Sequence, residues 1–137
     1  MATQIFVNLP VENLARSVDF FTALGYRFNP QFTDENATCM IVEEGQIHVM
    51  LLVQSFFQTF TRKPVADATQ CTEVLLCLSC ESRVQVDEMV RKAVAAGGTT
   101  PSGAKDHGFM YQHGYQDLDG HLWELVYMEP GAVPEQA

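Results

Sequence analysis

Bulky apolar and polar side chains alternate along several short stretches of this chain, and each stretch ends at a turn-forming residue. Alternation over residues 5–9 predicts a first strand that ends at Pro10. The next segment changes to helical spacing and stops at Gly25. Its apolar positions are Leu14, Val18, Phe21 and Leu24. Three further strands are predicted at 26–28, 37–42 and 47–52, which gives the first half the order βαβββ.

The second half of the chain repeats this order. A strand over 74–78 precedes a helix capped by Ser82, and short strands follow near 99–100, at 108–115 and at 121–127. Asp119-Gly120 predicts a tight turn between the last two strands, with His121 at the surface beside it. Two copies are too few to stack as a solenoid, so the pattern indicates duplication of one supersecondary unit.

The residues that close the first strand of each half are also alike. Leu9-Pro10-Val11-Glu12 and Leu78-Ser79-Cys80-Glu81 each stand just before a predicted helix. We therefore divide a single domain, 1–137, into module 1 at about 4–53, a connector at 54–72, module 2 at about 73–128 and a frayed tail at 129–137.

The connector carries three phenylalanines, Phe56, Phe57 and Phe60, on a short predicted helix. Aromatic rings on a connecting segment need an apolar surface to cover. They are expected to lie over the sheet or against a second subunit, and a homodimer is predicted on this basis.

Composition narrows the functional classes. Hydrophobic residues make up 47% of the 137 residues and charged residues 18%, which is typical of a globular domain. A net charge of −9 without a basic cluster argues against nucleic acid as a partner. The N-terminus has no basic leader, and no apolar run approaches the roughly 20 residues that span a bilayer. Four irregularly spaced cysteines predict buried reduced thiols and a cytoplasmic location.

Three local motifs, taken together, resemble the sequence of one known group of proteins. They are Asn8-Leu9-Pro10-Val11, the helix end Phe20-Phe21-Thr22-Ala23-Leu24-Gly25-Tyr26, and Asp117-Leu118-Asp119-Gly120-His121-Leu122-Trp123-Glu124. With the internal duplication, they resemble the vicinal-oxygen-chelate superfamily of glyoxalases, bleomycin-resistance proteins and extradiol dioxygenases. The similarity runs from about Gln4 to Met128 and is closest to small bacterial glyoxalase-like (lactoylglutathione-lyase-related) proteins. It implies an α+β fold in which two βαβββ modules curl as half-barrels of mixed sheet around a cavity, with the helices outside.

The resemblance also implies a divalent metal held by four inward side chains from the first and last strand of each module. Carried onto this chain, those positions are Phe6, Met50, Leu75 and Glu124. Phenylalanine and leucine offer no donor atom, and a methionine thioether prefers soft copper. One carboxylate is too few for a site that needs three protein ligands. We therefore expect no cofactor at these positions. The alternative is a divalent metal at a differently built site, for example His48 with Glu124 and one of the hairpin histidines.

Period-two alternation identifies the neighbours of these four positions. Asn8 shares a face with Phe6, His48 with Met50, and Cys77 with Leu75. The Gly-rich aromatic run before the last strand is expected to bring Tyr111 and His113 to the mouth of the cavity. The predicted ligand-binding set is Phe6, Asn8, Met50, Leu75, Cys77, Tyr111, His113 and Glu124. Apolar walls with a few polar groups are typical of a small-molecule site.

Glu124 and His48 are the candidate catalytic residues, and two interpretations stay open for them. A desolvated carboxylate can act as a general base or anchor a ligand, or it can be a structural remnant paired with His48, Asn8 or Tyr111. The favoured function is a metal-free binder of a small organic ligand. The alternative is a glyoxalase-type lyase or isomerase that uses Glu124 with His48 next to a carbonyl, and a purely structural or interaction role is the third reading. Whether the protein is an enzyme stays open.

Overall fold

The chain contains two four-stranded mixed sheets, each with helices. The computed structural model describes residues 3–131, within which one compact unit extends to Asp67 and a second begins at Ala68. Each unit contains the strand and helix order of a βαβββ module. The α+β fold class and the duplicated module are therefore confirmed. Residues 132–137, most of the predicted frayed tail, lie outside the described residues.

The first unit has strand β1 pairing in parallel with the last strand of its module. Its elements are β1 (Ile5–Val11), α1 (Leu14–Ala23), β2 (Arg27–Asn29), a 3-10 turn (Pro30–Phe32), β3 (Ala37–Glu43), β4 (Ile47–Val53), α2 (Gln54–Phe57) and a second 3-10 turn (Gln58–Phe60). The sheet order is β1-β4-β3-β2, and the pairs β4–β3 and β3–β2 are antiparallel.

Helix α1 forms where the sequence predicts it. The Asn13 side chain accepts a hydrogen bond from the Arg16 backbone nitrogen at 3.0 Å, which satisfies one of the open donors of the first turn. Phe20 and Phe21 are buried on the inner face of the helix, and Leu9 and Leu51 are buried on the strands of the same unit. Burial of this apolar stripe is the main force that holds the helix to the sheet.

Strand β1 runs two residues beyond its predicted end and includes Pro10. Proline lacks an N–H, so it is tolerated in a strand only where that position faces away from a partner. The Ile5 nitrogen donates to the Gln46 carbonyl, so alternate residues from Ile5 face β4 and Pro10 faces the free edge of the sheet. The proline therefore removes no bond from the ladder.

The second unit repeats the arrangement. It comprises β5 (Leu75–Ser79), α3 (Arg83–Ala95), β6 (Lys105–Asp106), β7 (Met110–Gln116) and β8 (Leu122–Met128) in the sheet order β5-β8-β7-β6. The Ser82 side chain accepts a hydrogen bond from the Gln85 backbone nitrogen at 3.0 Å, as the predicted cap requires. Val86 and Val90 of α3 are buried, as are Trp123 and Leu125 of β8.

The predicted strand near 99–100 is wrong. Thr99 makes only a single antiparallel bridge with Gln116, and the second strand of the module is β6 instead. Pro101 follows Thr100 and has no backbone donor, so a ladder that starts at Thr99 cannot continue.

The turn between β7 and β8 is organised by Asp117. Its Oδ1 accepts hydrogen bonds from the backbone nitrogens of Asp119 at 2.9 Å and His121 at 3.0 Å, and its Oδ2 accepts one from the Trp123 indole at 2.9 Å. Burial raises the pKa of Asp117, while the charge of His121 and these hydrogen bonds act in the opposite direction. The prediction of a surface His121 is wrong, because these bonds draw it into the buried side of the turn.

Gly120 lets this turn approach the start of the second unit. It has φ +92°, and an added Cβ would lie 2.6 Å from the carbonyl carbon of Ala68. A side chain at this position would meet backbone, so the turn requires glycine. None of the helices between residues 3 and 131 is long and apolar enough to cross a membrane.

Candidate functional site

The face of the first sheet opposite the buried Leu9 and Leu51 is exposed at its β1 edge and is called the open face here. It brings four of the predicted residues together. Strands β1 and β4 pair Phe6 with His48 and Asn8 with Met50. Register partners project to the same side, and residues two apart share a face. All four side chains therefore lie on one face of the sheet.

Phe6 and His48 form a stacked aromatic pair. Their ring centroids are 4.6 Å apart with an interplanar angle of 19°. The histidine below is only 8% exposed, whereas Phe6 is 48% exposed. The His48 Nδ1 is buried and has no hydrogen-bond partner within residues 3–131. The pair thus presents an exposed phenyl ring with a buried imidazole behind it.

The open face of the second sheet is organised around Glu124. Strand β5 pairs Cys77 with Glu124, and strand β7 pairs Gly114 with the same residue. Leu75, two residues before Cys77, shares this face and is 57% exposed. Cys77, Glu124 and Gly114 therefore form one cross-strand row next to an exposed leucine.

Glu124 is half-buried and has few polar contacts. Gln112 donates a hydrogen bond from its Nε2 to Oε2 of Glu124 at 3.5 Å, and Glu124 makes no ion pair in the described part of the chain. Gly114 leaves the β7 side of the carboxylate without a covering side chain. An added Cβ at Gly114 would lie 2.5 Å from the Trp123 carbonyl oxygen, so the close approach of β7 and β8 requires glycine there.

Tyr111 and His113 lie on the opposite face of this sheet, so the prediction that they face inward is wrong. Their register partners are Tyr127 and Leu125, which share a face with the buried core of the module. The Tyr111 hydroxyl donates to Oδ1 of Asp87 on α3 at 2.6 Å. Both residues therefore face the helix side and not Glu124.

Arg83 supports the Tyr111 arrangement. Its guanidinium lies 5.3 Å from the centre of the Tyr111 ring and forms ion pairs with Asp106 at 2.9 Å and Glu129 at 3.3 Å. The bond to Asp87, followed by burial, raises the pKa of Tyr111. This cluster fastens α3 to the edge of the sheet, which is a structural role, and it rules out Tyr111 as the partner of Glu124.

Gln112 is a site residue that the sequence reasoning missed. The sequence did contain an indication of this position. Gly114 is the register partner of Glu124, and Gln112 lies two residues before Gly114, so the two residues share a face of the sheet. The prediction relied on the Gly-rich aromatic composition of the segment and therefore named its tyrosine and histidine instead.

The cysteines are less buried than predicted. Cys39 is buried, but Cys71 and Cys77 are exposed. Cys77 is exposed because β5 is an edge strand and, within residues 3–131, the helix of the unit contacts β7 and β8. Partial burial and then the nearby charge of Glu124 raise the pKa of the Cys77 thiol. The thiol is therefore protonated and weakly nucleophilic at neutral pH.

The donor atoms at the four family positions do not fit a divalent metal. Phe6 and Leu75 have hydrocarbon side chains, and Met50 has a soft thioether. No group of three or more histidine, cysteine, aspartate or glutamate side chains within residues 3–131 is arranged to hold a metal ion.

The connector phenylalanines differ in exposure. Phe60 is 69% exposed, while Phe56 and Phe57 are half-buried. Phe56 and Phe60 contact edge to face with ring centroids 5.2 Å apart. One ring of the three is thus left open to solvent.

Part of the first module matches a known sequence family. Residues 3–42 match the model described as bleomycin resistance protein-like N-terminal. No curated protein sequence matches the chain.

Solved structures match nearly the whole chain. A hypothetical protein from S. aureus is 27% identical with a TM-score of 0.77, covering 93% of this chain and 94% of that one. A glyoxalase/bleomycin resistance protein/dioxygenase family enzyme from Burkholderia phytofirmans PsJN is 15% identical with a TM-score of 0.74, covering 90% and 96%. A glyoxalase/bleomycin resistance protein/dioxygenase from Nocardioides is 21% identical with a TM-score of 0.74, covering 100% and 90%. With the duplicated βαβββ order and the match over residues 3–42, these likenesses show that the chain has the fold of the vicinal-oxygen-chelate superfamily.

Proposed function

We propose that this protein binds a small organic ligand against an open sheet face without the divalent metal of its superfamily. The observation that carries the proposal is the replacement of three of the four metal-ligand positions by apolar side chains, two of which are about half exposed. Those two are Phe6, at 48%, and Leu75, at 57%. A ligand that covers exposed apolar groups on a sheet face is bound more tightly, because each Å² of apolar surface removed from water stabilises the complex by about 25 cal/mol.

Polar groups on the same faces supply orientation. Asn8 lies next to Phe6 on the first sheet, and Gln112 and Glu124 lie together on the second. A few polar groups among apolar walls are the usual composition of a small-molecule site. The carboxylate of Glu124 and the net charge of −9 favour neutral or cationic ligands over anions.

A ligand screen on the full chain in the presence of EDTA tests the proposal. Thermal shift ranks neutral, cationic and anionic small molecules, and two-dimensional amide NMR then maps the hits onto the strands. A ligand at 100 times its dissociation constant stabilises the folded state by about 2.7 kcal/mol. The proposal predicts metal-independent hits that perturb β1, β4, β5 or β8. Hits that bind only after a divalent metal is added would contradict it.

Glu124→Gln tests the charge preference. Removing the carboxylate is expected to weaken cationic hits and leave neutral ones unchanged. Glu35→Gln is the matched control, because it makes the same charge change at an exposed turn residue. Equal weakening by both variants would indicate a general charge effect and no contact with Glu124.

The second candidate function is acid–base catalysis by Glu124 next to a carbonyl, with His48 as its predicted helper. The open carboxylate beside Gly114 favours it. Such a reaction also needs an electrophile for the enediolate, which the metal supplies in this superfamily. The test is deuterium exchange at the carbon next to the carbonyl of small 2-oxo aldehydes and ketones, followed by NMR in EDTA. Exchange by the native protein that is lost in Glu124→Gln would establish the enzyme.

A homodimer and a cytoplasmic location remain proposals. The exposed Phe60 ring supports the first. Light scattering with size-exclusion chromatography measures the mass in solution, and a dimer that dissociates in Phe60→Ser would support contact through the connector. A monomeric native protein would remove the dimer from the account.

A further inference from the structure

The Phe6–His48 pair is organised differently from a core contact. In a core pair both rings are buried, whereas here the upper ring is about half exposed and only the imidazole is covered. Phe6 lies on β1, the edge strand of its sheet, and its register partner on β4 is His48. One face of the phenyl ring therefore lies against the imidazole, and about half of the Phe6 surface is exposed to solvent.

The buried imidazole is not explained by structural hydrogen bonding. Buried polar atoms in native proteins nearly always have a partner, and an exception calls for an explanation. The His48 Nδ1 is buried without one in the described part of the chain, although the side chain is only 8% exposed. A histidine kept for a polar contact would have this nitrogen paired. Its visible contact is the stack with Phe6.

An exposed aromatic ring that is stacked on a second ring on one side can stack with a ligand ring on its other side. Aromatic rings prefer offset parallel or edge-to-face contacts with other rings, beyond what the buried area alone provides. A ring whose orientation is already fixed loses little freedom when a ligand stacks on it. A saturated ligand of the same size gains the area term but not the stacking term.

We infer that Phe6, fixed by His48, is a stacking platform for a planar aromatic ring of the ligand, and that His48 acts as a positioning residue. This inference rests on the proposed function, because it assumes that a small organic ligand occupies the open face of the first sheet. Phe6, at a position where the superfamily carries a metal ligand, would then recognise the planarity of a ligand ring.

The test compares 1-naphthol with its saturated counterpart decahydro-1-naphthol, which are alike in carbon skeleton and hydroxyl but differ in planarity. Both are titrated into the full-length protein and followed by amide NMR of β1 and β4. The native protein is expected to bind the planar probe about two- to tenfold more tightly, the range of an aromatic pair. Phe6→Leu keeps an apolar side chain of similar size and is expected to abolish this preference.

Three further variants separate stacking from general effects. Phe60→Leu makes the same exchange at an exposed ring outside the sheet and is expected to keep the preference. His48→Phe keeps a ring behind Phe6 and is expected to keep most of it, whereas His48→Ala removes the support and lowers it. A residue with only a structural role would change both probe affinities together and leave their ratio constant.

Each outcome separates this inference from the proposed function. Equal binding of the two probes on β1 and β4, or an unchanged ratio in Phe6→Leu, would overturn the platform and leave ligand binding intact. Binding of both probes at other strands only would also overturn it. If neither probe perturbs any strand of either sheet, this result counts against the platform and against the proposed ligand site together.

Discussion

Cys77 and Glu124 are direct cross-strand partners on β5 and β8, and the carboxylate adds to burial in raising the pKa of the Cys77 thiol. They occupy the strands from which the superfamily draws two of its metal ligands. A carboxylate beside a protonated thiol repels the thiolate form, so this pair suppresses the thiol chemistry that an exposed cysteine otherwise shows.

Glu124→Gln is expected to lower the pKa of Cys77 towards its ordinary value and so to speed its alkylation at pH 8. The increase should be less than about tenfold, the equivalent of one pKa unit, because burial is the larger cause and remains. Iodoacetamide labelling resolved by peptide mass spectrometry measures the rate at Cys77. Glu88→Gln, a charge change on the exposed side of α3, should leave it unchanged, and an equal rate in Glu124→Gln would show that the two groups do not interact.

Asp117→Ala is expected to destabilise the protein by about 2 to 4 kcal/mol, because it removes the buried acceptor of three hydrogen bonds. Urea denaturation measures the free energy of unfolding. Asp34→Ala is the matched control: Asp34 also accepts from two backbone nitrogens, but in an exposed turn, and its loss should be about 1 kcal/mol or less. Similar losses in both variants would contradict the importance of burial at Asp117.

The raised pKa of Asp117 gives a pH dependence opposite to that of a salt-bridged carboxylate. The folded state binds the proton more tightly than the unfolded state, so this group favours folding once it is protonated and loses that contribution as the pH rises through its folded pKa. The free energy of unfolding of the native protein should therefore rise, relative to Asp117→Asn, as the pH falls from 7 towards about 4, the ordinary aspartate pKa. Urea titrations at several pH values measure the difference. A difference that is constant or shrinks would show that the pKa is not raised.

Gly114→Ala is expected to cost about 1 to 3 kcal/mol, because its Cβ would meet the Trp123 carbonyl oxygen and push β7 from β8. Gly103→Ala is the control, since an added Cβ there meets nothing within 4 Å, and its effect should stay within about 0.5 kcal/mol. Thermal and urea unfolding measure both variants. A neutral Gly114→Ala would mean that the strands separate easily at Glu124.

The order of strands and helices was predictable because it depends on the spacing of apolar residues and on the turn and cap residues that end each segment. Alternation identified β1, β3, β4 and β8 to within two residues, and the Ser82 cap is the one that the sequence indicates. The extension of β1 through Pro10 was not predictable, because it depends on which residues face the free edge. That in turn is set by the register with β4, which no local pattern specifies.

The candidate site was predictable in part. Counting from the first strand correctly placed Phe6 with Asn8 and Leu75 with Cys77 on their faces. Tyr111 and His113 were assigned to the wrong face because composition was used in place of register. The Phe6–His48 stack and the hydrogen bond from Gln112 to Glu124 arise from pairing between strands, so the sequence could suggest shared faces but not these contacts.

The most direct test of metal-free ligand binding is the metal content of untagged protein by elemental analysis, paired with thermal shift on addition of nickel, zinc, manganese or magnesium. Metal-free binding predicts substoichiometric metal and no change in Tm with any of the four ions, because Phe6, Met50 and Leu75 cannot ligate them. One bound ion per chain, or a saturating rise in Tm that is lost in Glu124→Ala, would contradict it and restore a metal-dependent enzyme.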